Sequence, residues 1–187
     1  MKIKDITEKE FLSSSCFSTF YKVKIDNMYF VLKETYDPNY SLSNMIRSYE
    51  NVLKLSDIDE IQKVYDFSLQ DGKVQLLTEY LEGYENLIKV VVPSEEFKNN
   101  VFNKIINLFY KMWNRGFLNY DFTIINFLIK DENIKMIDLE FIVKENIEPF
   151  RLLWFFERID IIKNWHGNSY DKIMKLKEEV LLKWKNF

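Results

Sequence analysis

The stretch "YDFTIINFLIKDENIKMIDLEF" occupies residues 120–141. It carries Asp121, then Asn126 five residues later, then Asp138 at the end of the apolar run IKMID. Its middle, FLIKDENIKMID, is expected to form a short two-strand hairpin turning at Asp131-Glu132-Asn133. Two accounts of the three polar residues are open. They serve the turns of an ordinary hairpin, or they form a magnesium and phosphate site. The second is chemically apt, because Mg²⁺ takes oxygen ligands, usually one or two carboxylates completed by phosphate oxygens.

The sequence before this stretch has a definite order. "FYKVKIDNMYFVLKE" is two alternating apolar runs joined at Asp26-Asn27, a hairpin signal. "SLSNMIRSYENVLKL" places Leu42, Met45, Ile46, Tyr49, Val52 and Leu53 at helical spacing, with Ser41 or Ser43 available as a cap. "IQKVYDFSLQDGKVQLLTEYL" gives two more strands around Asp71-Gly72, the strongest short hairpin signal of the chain. "EYLEGYENL" then crosses from this β-rich half to a helical one. "SEEFKNNVFNKIINLFYKMWNRG" follows Pro93-Ser94 and ends at Gly116, which obeys the capping rules at both ends. Phe97, Val101, Ile105, Leu108, Met112 and Trp113 form its buried stripe. Beyond Phe141, residues 149–187 are expected to form two helices broken near NWHGNSY. Arg151 and Arg158 share one face there, either to meet an anionic substrate or as part of a solvated surface.

Composition narrows the classes. The chain has 187 residues, 47% of them hydrophobic and 17% aromatic, enough for one packed domain or a small two-lobed one. Net charge is −3, with 26 basic and 29 acidic residues interspersed. That is not the basic balance of a nucleic-acid binder. Cys16 is the only cysteine, so no internal disulfide forms; this suits a reducing compartment. His166 is the only histidine, which excludes a multi-histidine metal site. A Cys–His pair would require Cys16 to meet His166 across the whole chain. Residues 1–15 lack an apolar core of signal-peptide length. No run of about 18 uncharged apolar residues predicts a membrane span. A cytoplasmic monomer is expected, with peripheral membrane contact left open.

In this order, residues 11–141 resemble the protein-kinase-like superfamily. The resemblance implies an α+β, bilobal fold: a β-rich N-lobe over 1–81 and a reduced α-helical C-lobe over 82–187, in a single domain 1–187. It implies ATP and Mg²⁺ as cofactors. Lys33, in YFVLKE, takes the place of the strand lysine that holds the α- and β-phosphates. Glu50, in RSYENVLKL, takes that of its helix partner, so an ion pair between the two is expected. Asp121 becomes the catalytic residue that accepts or orients the attacking hydroxyl. Asn126 and Asp138 become the metal ligands. Thr78 would sit at the back of the adenine pocket, with Glu79 and Leu81 in the hinge whose backbone meets the base. Each residue has a plainer account by itself: a snorkelling lysine, a solvated glutamate, a strand end.

The pattern also departs from the family. The glycine-rich phosphate loop is replaced by SSSCFSTFYKV, residues 13–23, where Ser14, Ser15 and Ser18 offer backbone N–H groups and hydroxyls to phosphate without glycine's freedom at positive φ. Asn119-Tyr120 stands where the family has His-Arg. Leu139-Glu140 follows Asp138 in place of Phe-Gly; Glu140 adds a second carboxylate to the metal site or stiffens the turn. The stretch after Phe141 is too short for a full peptide-binding C-lobe. With GFLNYDFTIINFLI, IKMIDLE and FRLLWFFERID, the chain is most similar to lipopolysaccharide core heptose kinases and similar small-substrate kinases. The function expected is phosphoryl transfer to a hydroxyl of a glycolipid, a small molecule or a protein. The alternative is a pseudokinase, a nucleotide- or protein-binding module without catalysis.

Overall fold

The computed structural model describes residues 1–36, 42–70, 72–90, 93–122 and 124–144, together with Glu178 and Leu182. Apart from those two, the helices expected over 149–187 lie outside the described residues, and so do Arg151, Arg158, His166, Ser41 and Asp71. The chain is mixed α+β and its sheets are antiparallel where described. It divides into two compact units. The first is Met1–Gly83 with Leu139–Val143, and the second is Tyr84–Asp138 with Lys144–Phe187. The break after Gly83 falls inside EYLEGYENL. Among the described residues, no helix is long and apolar enough to cross a membrane.

The first unit is built on five strands: β1 (Glu8–Ser14), β2 (Ser18–Ile25), β3 (Met28–Thr35), β4 (Val64–Gln70) and β5 (Lys73–Glu79). Their order across the sheet is β1-β2-β3-β5-β4. Asp26 (φ 48°) and Asn27 (φ 64°) both take left-handed backbone at the β2–β3 turn, the pattern of a two-residue type I′ hairpin. Gly72, just before β5, also takes left-handed backbone at φ 71°. Helix α1 (Leu42–Leu53) follows β3.

Strand alternation sorts the side chains of this sheet onto two faces. Val23, Ile25, Phe30, Leu32 and Leu77 form one apolar layer, against which Ile3, Ile6 and Tyr21 pack. Val74 and Leu76 face the other way, onto Met45 and Tyr49 of α1, with Val64 and Phe67 alongside. On α1, Met45, Ser48, Tyr49 and Val52 are buried, a spacing of three and four residues that makes one helical stripe. Leu53, expected in that stripe, is 44% exposed. Strand β1 has no counterpart in the sequence reading, whose first expected strand lies in FYKVKIDNMYFVLKE. All seven of its residues are exposed. An edge strand with no buried face shows no apolar alternation, so the period-two signal was absent.

In the second unit, α2 (Glu95–Trp113) carries a dominant stripe of Val101, Ile105, Leu108, Phe109 and Met112, all buried. Ser94 caps it, its hydroxyl accepting from the Phe97 amide at 3.1 Å. Gly116, at φ 78°, ends it in the left-handed conformation that favours glycine. Strand β6 (Glu85–Asn86), strand β7 (Phe117–Asn119) and the hairpin of β8 (Phe127–Lys130) and β9 (Asn133–Met136) complete the described strands used below. Phe127, Ile129, Ile134 and Met136 point inward from the hairpin. Its turn, with Asp131 at φ 55°, is fastened to α2: Lys104 Nζ donates to the Glu132 carbonyl at 2.7 Å, and Asn100 Nδ2 to its carboxylate at 3.2 Å.

Two carboxylates on the first unit's sheet make its stability acid-sensitive. Burial pushes both Glu34 and Asp66 up, but their donors outweigh it and hold each below its ordinary value. Glu34 accepts from Lys9 Nζ at 2.8 Å and Gln75 Nε2 at 3.1 Å. Asp66 accepts from the Ile3 amide at 2.9 Å and Lys2 Nζ at 3.0 Å. A lowered native pKa contributes stability that is full above the unfolded value and lost as pH falls through the native one. Urea midpoints should therefore drop once pH falls below the ordinary values of 4.5 and 3.8. The double variant Glu34→Gln, Asp66→Asn should show a shallower drop over that range; an equally steep one would assign the acid sensitivity elsewhere.

Candidate functional site

The second unit gathers the polar residues of the 120–141 stretch. Gly116 releases the chain from α2 into β7, whose last residue, Asn119, is 2% exposed. Its Oδ1 accepts from the Asp121 amide at 2.9 Å, an Asx turn that bends the chain at Asp121. Asn126 closes the loop from the far side. Its Nδ2 donates to the Asp121 carbonyl at 2.8 Å and to Asp121 Oδ2 at 2.9 Å. Asn86 Nδ2 pins the intervening 3₁₀ turn through the Ile125 carbonyl at 2.8 Å.

Asp138 reaches the same loop through the hairpin. The Ile137 amide donates to the Asn126 carbonyl at 2.8 Å, one step beyond the Phe127–Met136 pair of β8 and β9. Asn119 Nδ2 makes a long contact of 3.5 Å with the Asp138 carbonyl. Asp121, Asn126 and Asp138 are thus tied to one another through backbone and amide groups, with Asn119 at the centre. The sequence marked Asn119 only as a substitution for histidine; its near-complete burial supplies the reason for a two-sided amide there. Asp138 also has φ 59°. Left-handed backbone is uncommon outside glycine, although Asp and Asn tolerate it best. Such residues cluster where function fixes the backbone.

The first unit positions Lys33. On β3, Phe30 and Leu32 face one layer, so Lys33 and Thr35 face the α1 side. Lys33 pairs with Phe20 on β2 and Leu76 on β5, and its Nζ lies 5.4 Å from the Phe20 ring centre. The carboxylate 2.8 Å from Lys33 Nζ is that of Glu140. Glu50, expected in that place, is exposed on α1. The physical reason is helical phase. Tyr49 belongs to the buried stripe, and the next residue is turned by about 100° toward solvent.

Glu140 Oε1 accepts three hydrogen bonds, from Lys33, from Tyr49 Oη at 3.2 Å and from Thr35 Oγ1 at 3.3 Å. Thr35 in turn shares a 2.8 Å bond with the Ser18 hydroxyl, both residues being buried. Glu140 is therefore committed to the lysine, not to the turn of its own segment. Thr35 and Tyr49 had no functional signal in the sequence. Thr35 was recoverable from its place two residues after Lys33, on the same face.

The serines expected to meet phosphate close their own turn. The Ser15 amide donates to the Ser18 carbonyl at 2.8 Å, and the Ser18 amide to Ser15 Oγ at 3.2 Å. With its hydroxyl on Thr35, Ser18 points inward; Ser14 ends β1 exposed. At the expected hinge, the Glu79 amide donates to the Lys63 carbonyl at 3.0 Å, and the Glu79 carbonyl accepts from Gln62 Nε2 at 3.1 Å. Thr78 is buried and Leu81 half-buried.

The second unit carries oxygen donors of the kind that Mg²⁺ takes. Both bonds from the Asn126 side chain use its nitrogen and leave its Oδ1 out of them, and Asp138 bears a carboxylate. Among the described residues no three His, Cys, Asp or Glu side chains are grouped as a metal cage. A cation held here would draw its remaining oxygens from water and phosphate, which is how Mg²⁺ is ordinarily bound. No family model matches the sequence, and no curated protein matches it.

Proposed function

We propose that the chain is an ATP- and Mg²⁺-dependent phosphotransferase of bilobal, protein-kinase-like fold, acting on a hydroxyl acceptor. The observation that carries this reading is the pair of hydrogen bonds that Asn126 Nδ2 donates to the Asp121 carbonyl and carboxylate, across the five-residue spacing first seen in the sequence. These bonds support a reading in which the amide oxygen meets a metal and the Asp121 carboxylate meets a substrate hydroxyl. Asp121 is the base or orienter, Asn126 and Asp138 are the metal ligands, and Lys33 is the phosphate clamp. Magnesium, when bound, neutralises charge on the phosphates, and phosphoryl transfer asks mainly for such positioning and neutralisation. A sugar hydroxyl of a glycolipid core is one acceptor in scope, beside small-molecule and protein hydroxyls.

The second reading, a pseudokinase that binds nucleotide or protein without transfer, draws on the serine turn and the Glu79 main chain. In both, groups expected to face the nucleotide bond within the protein. Calorimetric titration of the wild type with ATP, with and without Mg²⁺, should give metal-dependent binding. It should be accompanied by transfer to a hydroxyl acceptor, or by slow hydrolysis. No binding at millimolar ATP rejects both nucleotide readings. Binding without turnover, insensitive to Asp121→Ala, selects the second.

A further inference from the structure

We infer that Glu140 is the positioning residue of Lys33, doing from the segment after Asp138 what a helix carboxylate was expected to do. The inference rests on the phosphotransferase reading for its purpose, and on geometry for its substance.

Four observations converge. Lys33 and Glu140 side chains are each only 12% exposed, and their charged atoms are 2.8 Å apart. The Glu140 oxygen that meets Lys33 also takes hydroxyls from β3 and from α1, so it stays in place whether or not the ammonium moves. Its chain neighbours are anchored too. Leu139 and Ile142 are 1% and 0% exposed, and the Ile142 carbonyl accepts from Asn51 Nδ2 of α1 at 3.1 Å. Finally, Glu50 is one residue out of phase with the buried stripe. Helix α1 therefore takes part through the Tyr49 hydroxyl and the Asn51 amide, both neutral groups, and the charge comes from residue 140. Along the chain, a metal carboxylate and a lysine-holding carboxylate stand two residues apart. This gives the Asp-Leu-Glu run a division of labour: Glu140 is not a second metal ligand.

Glu140→Gln, Tyr49→Phe and Glu50→Gln test this, each checked for folding by its urea midpoint. The first readout needs no nucleotide. An amine-acylating reagent is applied and Lys33 labelling is followed by peptide mass spectrometry. Glu140→Gln should speed Lys33 labelling severalfold, Tyr49→Phe less, and Glu50→Gln not at all. In calorimetry and kinetics, Glu140→Gln should weaken Mg²⁺-ATP binding roughly 10-fold or more, the scale of one charge-assisted contact. It should raise KM for ATP more than it lowers kcat. Unchanged Lys33 labelling in Glu140→Gln, or a larger effect in Glu50→Gln, overturns the inference. If the wild type binds no ATP, the functional reading fails, while the labelling result still decides which carboxylate holds Lys33.

Discussion

Asp121→Asn should lower the rate of phosphoryl transfer by about 10²- to 10⁴-fold, the usual contribution of a positioned general base. Affinity for Mg²⁺-ATP should change little. The reason lies in what Asp121 touches. Its amide is held by Asn119 and its carbonyl by Asn126, both through backbone atoms that the substitution keeps. An asparagine at 121 can still turn its own oxygen toward Asn126 Nδ2, so the loop keeps its form. What disappears is the second carboxylate oxygen and the charge, the parts that accept a proton from an attacking hydroxyl. On the proposed reading Asp138 is a metal ligand, so Asp138→Asn should instead weaken Mg²⁺-dependent binding. Steady-state kinetics with calorimetry separates the two. Equal loss of affinity in both variants would place Asp121 among the nucleotide contacts and take away its role in transfer.

Tyr49→Ala should cost about 3–5 kcal/mol of stability, the range for emptying a buried aromatic site. Tyr49 is fully buried, packs with Met45, Val74 and Leu76, and lies 5.8 Å centre to centre from Phe67. Tyr49→Phe keeps that packing and removes the hydroxyl with its bond to Glu140. Two donors remain on the same oxygen, so no buried acceptor is orphaned, and the cost should be about 0.5–1.5 kcal/mol. Urea unfolding with unchanged slope measures both. Similar losses in the two variants would mean that the hydroxyl, not the ring, holds α1 in place within the first unit.

The elements with their own local signal were legible. The Asp26-Asn27 hairpin, the stripe of Val101, Ile105, Leu108 and Met112, the Ser94 cap and the turn at Asp131 all rest on neighbours in sequence, where periodicity and backbone preference act. Strand β1 escaped because its face is nowhere buried, and β7 because three residues carry too little pattern. In the site, the Asp121–Asn126 spacing was visible because its partners lie within one loop. The Lys33–Glu140 pair was not. Glu140 meets Thr35 and Tyr49 across 105 and 91 residues of chain, a separation at which a sequence names residues but not partners. The family spacing points to the helix glutamate, but on α1 one residue's rotation separates buried Tyr49 from exposed Glu50.

On the proposed reading, the fold and the site make opposite demands on residue 138. Its left-handed backbone suits glycine, and a side chain there costs about 1–2 kcal/mol. Selection on the fold alone would drift toward glycine, and each such drift would look beneficial in a stability screen. If Asp138 holds the metal as proposed, selection on the carboxylate opposes it. A library sorted for thermal stability would thus be expected to accumulate Asp138→Gly, while one sorted for nucleotide turnover would purge it. The disagreement between the two sorts would itself measure how much the chain gives up to keep that carboxylate.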